Sequence, residues 1–197
     1  YLAARVGHQQ PSQSGLKKLI ESNPDILFQF LRWTAEEGIE ANRQNVELHL
    51  KKPSSSYHNF KAALAALDAL EDRKNPDRFN EKFALPLLRN PSTTDSLRAN
   101  LLRYTPDNHK AINPEQLANW IQSKNADLRK EAIWKSRSHI AEQTVSALSK
   151  LALDKNAAIN DRLNAVAALG TIPPLDNAND LLRNILSKNN PLLQAEA

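Results

Sequence analysis

"DLRKEAIWKSRSH", residues 127–139, reads as the opening of an amphipathic helix, with Leu128, Ala132 and Ser136 on one face and Lys130, Trp134 and Arg137 on the other. The same kind of opening returns at "DRLNAVAAL", residues 161–169. Aligning "LRANLL" (97–102), "LRKEAI" (128–133) and "DRLNAV" (161–166) on Arg98, Arg129 and Arg162 gives intervals of 31 and 33 residues. A fourth start, "LLQAEA" (192–197), places Gln194 in the arginine slot, 32 residues after Arg162. A second amphipathic stretch follows each of the first three starts, over 114–123, 141–153 and 176–187. A period of about 32 residues with two helices per unit is the signature of stacked helical repeats. The opening stretch is therefore one repeat of an architecture and names no reaction.

Outward from this region the periodicity stays helical. In "DNANDLLRNILSK" (176–188), Ala178, Leu181, Leu182, Ile185 and Leu186 form one apolar stripe, as do Phe60, Ala63, Leu64, Leu67 and Leu70 in "SYHNFKAALAALDALED" (56–72). Asn23-Pro24 and Asn113-Pro114 each set a capping side chain before a proline at the first helical position. Gly38 and Gly170 stand where helices should end, and no pair of glycines forms a phosphate-cradling loop. The spacing predicts helices over 14–22, 24–37, 41–51, 56–71, 77–89, 94–103, 114–123, 127–138, 141–153, 161–170 and 176–187. No segment alternates as a half-buried strand would. The expectation is a single all-α solenoid over 1–197 of about five to six helix pairs, degenerate over 14–90 and regular over 94–197.

Composition bounds the function classes. With 41% hydrophobic and 24% charged residues the chain has the makeup of an ordinary globular protein. No apolar run approaches the ~18 residues that would span a bilayer. The net charge of +4 is shared evenly, 14 basic against 12 acidic residues in 1–100 and 12 against 10 in the remainder, so it marks no basic stripe. The absence of cysteine excludes disulfides, zinc–thiolate centres, iron–sulfur clusters and covalent haem attachment within these residues. The absence of methionine, the start at Tyr1 and the uncovered repeat start at the C-terminus lead to the expectation of a piece of a longer protein, with a further repeat after Ala197.

The repeat openings resemble HEAT repeats. An acidic residue opens the first helix and an arginine follows, as in Asp127 and Arg129, Asp161 and Arg162, and more loosely Asp95 and Arg98. The resemblance implies that these six side chains form a ladder between neighbouring repeats. Across most of the chain, "FLRWTAEEGIEANRQNVELHLKK", "NFKAALAALDALED" and "LRANLLRYTPDNHKAINPEQLANWIQSKNADLRKEAI" look like the HEAT-like region of large exported planctomycete-type proteins. Those proteins join a sugar-dehydrogenase-like propeller, this helical region and a cytochrome c domain. The resemblance implies a periplasmic or exported setting, other domains or another protein as partner, and a haem-attachment motif further along the parent chain. It assigns no cofactor, metal or catalytic residue to these 197 residues.

Individual side chains add little chemistry. The five histidines, 8, 49, 58, 109 and 139, have no metal-ligand spacing and read as surface or capping groups. Glu36, Glu37, Glu40 and Glu47 read as a hydrated surface, and Ser54-Ser55-Ser56 as a loop and N-cap. Trp33 and Trp120 lie in apolar stripes and read as core. Lys130, Trp134 and Arg137, at i, i+4 and i+7, are the candidate binding constellation: an aromatic between two cations can stack on a base while the cations hold phosphates. The reading preferred for Trp134 is packing against the preceding repeat, with both cations covering its edge. The expected function is a noncatalytic scaffold or protein-interaction module. The alternative is a nucleic-acid-binding HEAT protein such as a HEAT-like DNA glycosylase, with nucleic acid the less favoured partner.

Overall fold

The computed structural model describes residues 22–52, 56–71 and 79–171, together with 18, 20, 180, 183 and 187. The described residues form nine α-helices and no strand. They are α1 (Pro24–Glu37), α2 (Arg43–Leu50), α3 (Tyr57–Leu70), α4 (Glu81–Arg89), α5 (Asp95–Tyr104), α6 (Pro114–Ile121), α7 (Ala126–Ser136), α8 (Glu142–Leu153) and α9 (Ile159–Gly170). The chain is all-α. The repeat start at 192–197 lies outside the described residues, as do the predicted helices over 14–22 and 176–187 apart from residues 18, 20, 22, 180, 183 and 187, which are helical. No described helix is long and apolar enough to cross a membrane. Two compact units divide the chain, residues 1–87 and 88–197.

In the first unit, local chemistry sets the helix ends. Asn23 Oδ1 accepts the backbone N–H groups of Asp25 (2.9 Å) and Ile26 (3.3 Å), which α1 would otherwise leave unsatisfied. At the other end Gly38 takes a left-handed conformation (φ 60°), open to a residue without a Cβ, and the helix stops. The predicted helix over 41–51 divides into a single 3-10 turn (Glu40–Asn42) and α2. Asn42 donates its side-chain amide to the buried Thr34 hydroxyl (2.9 Å), which holds that turn against α1. Helix α3 packs on both α1 and α2, and Leu31, Val46, Leu50, Phe60, Leu64 and Leu67 close the core between them. Burying each such side chain is worth about 1.5–3 kcal/mol before chain entropy is subtracted. The predicted start at 77 moves to Glu81, because Asn80 caps α4: its Oδ1 accepts the N–H of Phe83 and its amide donates to the buried Asp68 carboxylate (2.7 Å).

In the second unit, alternate helices lie side by side. Helix α5 packs on α7 and α7 on α9; α6 packs on α8; and α6 and α8 also pack on α7 and α9 respectively. Leu97, Leu101, Leu117, Leu128, Ile133 and Leu148 lie at the centre of these contacts, and Ala132, Ala152, Ala165 and Ala168 supply small buried surfaces. At α6, Asn113 Oδ1 accepts the N–H of Glu115 (2.8 Å) ahead of a proline at the first turn.

Candidate interaction surface

The first helices of the second unit start in one register. Arg98, Arg129 and Arg162 are each the fourth residue of α5, α7 and α9, whereas the aspartate slides from first (Asp95) to second (Asp127) to third (Asp161). Each step along a helix turns the side chain by about 100°, so the three aspartates point in three directions. Asp161 meets Arg129 of the preceding first helix, with Nε 2.8 Å and Nη2 2.5 Å from Oδ2. Asp95 instead pairs within its own helix with Arg98 (3.1 Å), and Asp127 is exposed. Of the pairing expected between neighbouring repeats, Arg129 and Asp161 make the contact, while Asp95 and Arg98, the looser pair, bond within α5. Arg162 donates from Nε to the carbonyl of Ala152 (3.1 Å), and Arg98 also lies over the half-buried Trp120 ring at 5.7 Å.

Ser123, which the repeat alignment passed over, completes the connection. Its hydroxyl donates to Asp95 Oδ2 (3.1 Å), and its carbonyl accepts from Arg129 Nη1 (2.6 Å). Asn125 adds an amide contact to the Ser96 hydroxyl (3.4 Å). A polar thread therefore runs from Asp95 through Ser123 and Arg129 to Asp161, crossing all three first helices. Ser123 could have been found from its place just ahead of the N-cap Asn125, whose N–H it accepts (3.0 Å).

The outward face of α7 differs from the packing expected for it. Trp134 is 55% exposed, and Lys130, one turn earlier, is exposed beside it. Ala132 and Ile133 occupy the buried positions, and Trp134, about 100° further round the helix, turns out to solvent. Ile140 continues the four-residue spacing of Leu128, Ala132 and Ser136, yet α7 ends at Ser136, so the helical spacing no longer applies and Ile140 is 41% exposed. The Arg137 guanidinium lies over the Trp134 ring, 4.5 Å from its centroid.

On the inner side of the same helix, Lys135 is only 4% exposed, the kind of burial lysine rarely tolerates unless paired. Its ammonium donates to the Thr105 carbonyl at the C-terminal end of α5 and to Asp107 Oδ1 (2.6 Å). A cation is favoured at that end by the helix dipole and by carbonyls that lack helical partners. Two further groups titrate in this neighbourhood. Burial holds His139 below the usual histidine range, helped by the Lys135 charge and opposed by Asp107. Burial also raises the Glu131 carboxyl, against the attraction of Arg103, Lys130 and Lys135.

The remaining candidates are structural. Glu36 pairs with Arg32 (2.6 Å), and Glu40 takes both Nε and Nη2 of Arg43, a contact that lowers the Glu40 carboxyl. Arg43 also reaches the Leu70 carbonyl (3.2 Å) and Glu71 (3.5 Å), and Glu71 pairs with Lys82, so Arg43 and Glu71 tie α2, the end of α3 and α4 together. His58 stacks on Phe28 (4.1 Å), His109 Nδ1 accepts the N–H of Ala111 (3.2 Å), and His49 is buried in α2 rather than lying at the surface. Among the described residues no three His, Asp or Glu side chains gather as a metal site would require. Trp33, read as core, is half-buried.

Compared with family models, curated proteins and solved structures, the chain matches none.

Proposed function

We propose that this chain is a HEAT-like α-solenoid serving as a noncatalytic protein-interaction module of a larger exported, oxidoreductase-type protein. The observation that carries the reading is the pairing order of the second unit. First helices α5, α7 and α9 pack in succession, the second helices α6 and α8 pack on each other, and Arg129 near the start of α7 bonds Asp161 near the start of α9. Stacked helix pairs extend a surface rather than enclosing a pocket, which suits them to holding other proteins. The exported parent and its dehydrogenase and haem domains rest on the sequence resemblance alone.

Cross-linking mass spectrometry on the protein in the cells that make it tests this reading. Exposed Lys124, Lys130, Lys150 and Lys155 should yield cross-links to polypeptide outside these 197 residues. Cross-links confined to the chain's own lysines, or turnover of a substrate by the purified chain, would contradict it.

One observation favours a second reading. Trp134 is exposed with Arg137 over its ring and Lys130 a turn away, the elements of a stacking platform for single-stranded nucleic acid. Affinity for an oligonucleotide that falls steeply with salt would support that reading over the first.

A further inference from the structure

We propose that the outward face of α7 docks an acidic segment of a partner protein, with Trp134 as the apolar anchor and Lys130 and Arg137 as carboxylate-binding arms. The proposal rests on the protein-interaction reading and gives that interaction a place and a chemistry.

A lone exposed hydrophobic residue needs no explanation, but Trp134 is not alone. It is 55% exposed, and one ring face is already occupied by Arg137 at 4.5 Å. The guanidinium, on the residue that caps α7, already lies on the ring, so a partner has less to order on binding. Neither Lys130 nor Arg137 makes an ion pair among the described residues, whereas Arg129 and Lys135 on the same helix are both engaged. Arg137 Nε is shielded from water and has no acceptor among the described residues. Two cations without acid partners flanking an aromatic match a segment that carries carboxylates around an apolar side chain: arginine takes a carboxylate by paired hydrogen bonds, and the indole gives apolar contact area.

Position nine of the three helices holds Arg103 on α5, Trp134 on α7 and Ala167 on α9. Arg103 is exposed and close enough to Glu131 to oppose the rise that burial gives its carboxyl, so it adds positive charge on that side. The same pattern disfavours nucleic acid. Asp127 is exposed at the start of α7 and Glu131 sits beside Lys130, so the helix presents interrupted charge, not the unbroken cationic track a phosphodiester chain requires. The chain's excess of +4 is also spread evenly along its length.

The test titrates the full chain into a short fluorescein-labelled peptide of glutamates flanking one leucine. A peptide with lysines replacing the glutamates and an oligothymidine of equal charge serve as the other probes. Binding should be seen for the glutamate peptide and not for the lysine peptide. Trp134→Ala should weaken it by about tenfold or more, as truncating an anchor residue does. Lys130→Glu and Arg137→Glu should each weaken it as well, with the helical circular dichroism of all three variants unchanged. No binding of the glutamate peptide, or binding indifferent to Trp134→Ala and Lys130→Glu, overturns the proposal. Tighter binding of the oligothymidine, lost steeply with salt and by the same substitutions, overturns it in favour of nucleic acid. If cross-links to other proteins persist but leave from lysines other than Lys130, this site fails while the interaction reading stands; if no such cross-links form, the broader reading fails.

Discussion

Arg129 and Asp161, 32 residues apart, bond across the contact between α7 and α9, with Arg129 Nε and Nη2 both directed at Asp161 Oδ2. Both side chains are mostly covered, 18% and 13% exposed, and Arg129 also holds the Ser123 carbonyl. Removing the arginine leaves a carboxylate and a carbonyl without their donor. Arg129→Ala should therefore cost about 1–3 kcal/mol of stability. Lys130→Ala, at an exposed position, should stay within about 0.5 kcal/mol of the wild type. Equal melting temperatures for the two variants in thermal unfolding would contradict the assignment.

Lys135 provides a separate test of how α5 is held to α7. Its ammonium is buried against the Thr105 carbonyl and Asp107, so Lys135→Ala removes the donor and opens a cavity at once, with an expected loss of about 2–4 kcal/mol. Asp107 is 60% exposed, and Asp107→Asn should cost less than about 1 kcal/mol. Chemical denaturation of both variants decides this: a loss on Asp107→Asn as large as that on Lys135→Ala would mean that the ion pair, not the helix-end carbonyl, is the main contact.

His139 and Glu131 give opposite pH signatures. His139 has a folded-state pKa below its ordinary value of about 6.5, so the unfolded chain takes up the proton first. Its contribution is present above that value and is lost as pH falls through the folded pKa. His139→Gln should accordingly lose less stability than the wild type on acidification from about pH 7 to pH 5. A parallel fall for both proteins would contradict the burial of His139.

Glu131 has a raised folded-state pKa, so the protonated form is favoured in the fold. That contribution is complete below the ordinary glutamate value of about 4.3 and is lost as pH rises through the folded pKa. Glu131→Gln should melt higher than the wild type near neutral pH, and the difference should vanish in acid. A variant less stable than the wild type at neutral pH would show that the attraction of Arg103, Lys130 and Lys135 outweighs desolvation.

Much of the fold was legible because its determinants are local. Asn23 and Asn113 carry their capping role in the dipeptide they form with proline, and the apolar spacing of residues 57–70 is enough to place α3. The arginine period located the three first helices because all three arginines take the same helical position. What escaped the sequence depends on facing across neighbours. The Asp95–Ser123–Arg129–Asp161 thread needs the aspartate's turn-by-turn direction, which an alignment on arginine leaves out. Lys135 looks like one more surface cation until the end of α5 is set against it. Trp134 was expected to pack against the preceding repeat because a helix inside a stack is partly covered on both faces, yet α5, α6 and α9 pack around α7 through its other faces.

The central claim is that first helices stack in succession, and spin-label distances test it most directly. The chain has no cysteine, so Arg103→Cys on α5 and Asn164→Cys on α9, both exposed positions, can be labelled without background. Helices packed side by side have axes about 8–10 Å apart, which places α5 and α9, with α7 between them, about 20 Å apart. Pulsed electron resonance should give a single distance distribution centred near that value, broadened by the label arms, and Arg129→Ala should widen it. A distribution centred at twice that distance or more, or one without a defined maximum in the unsubstituted background, would contradict the stacking.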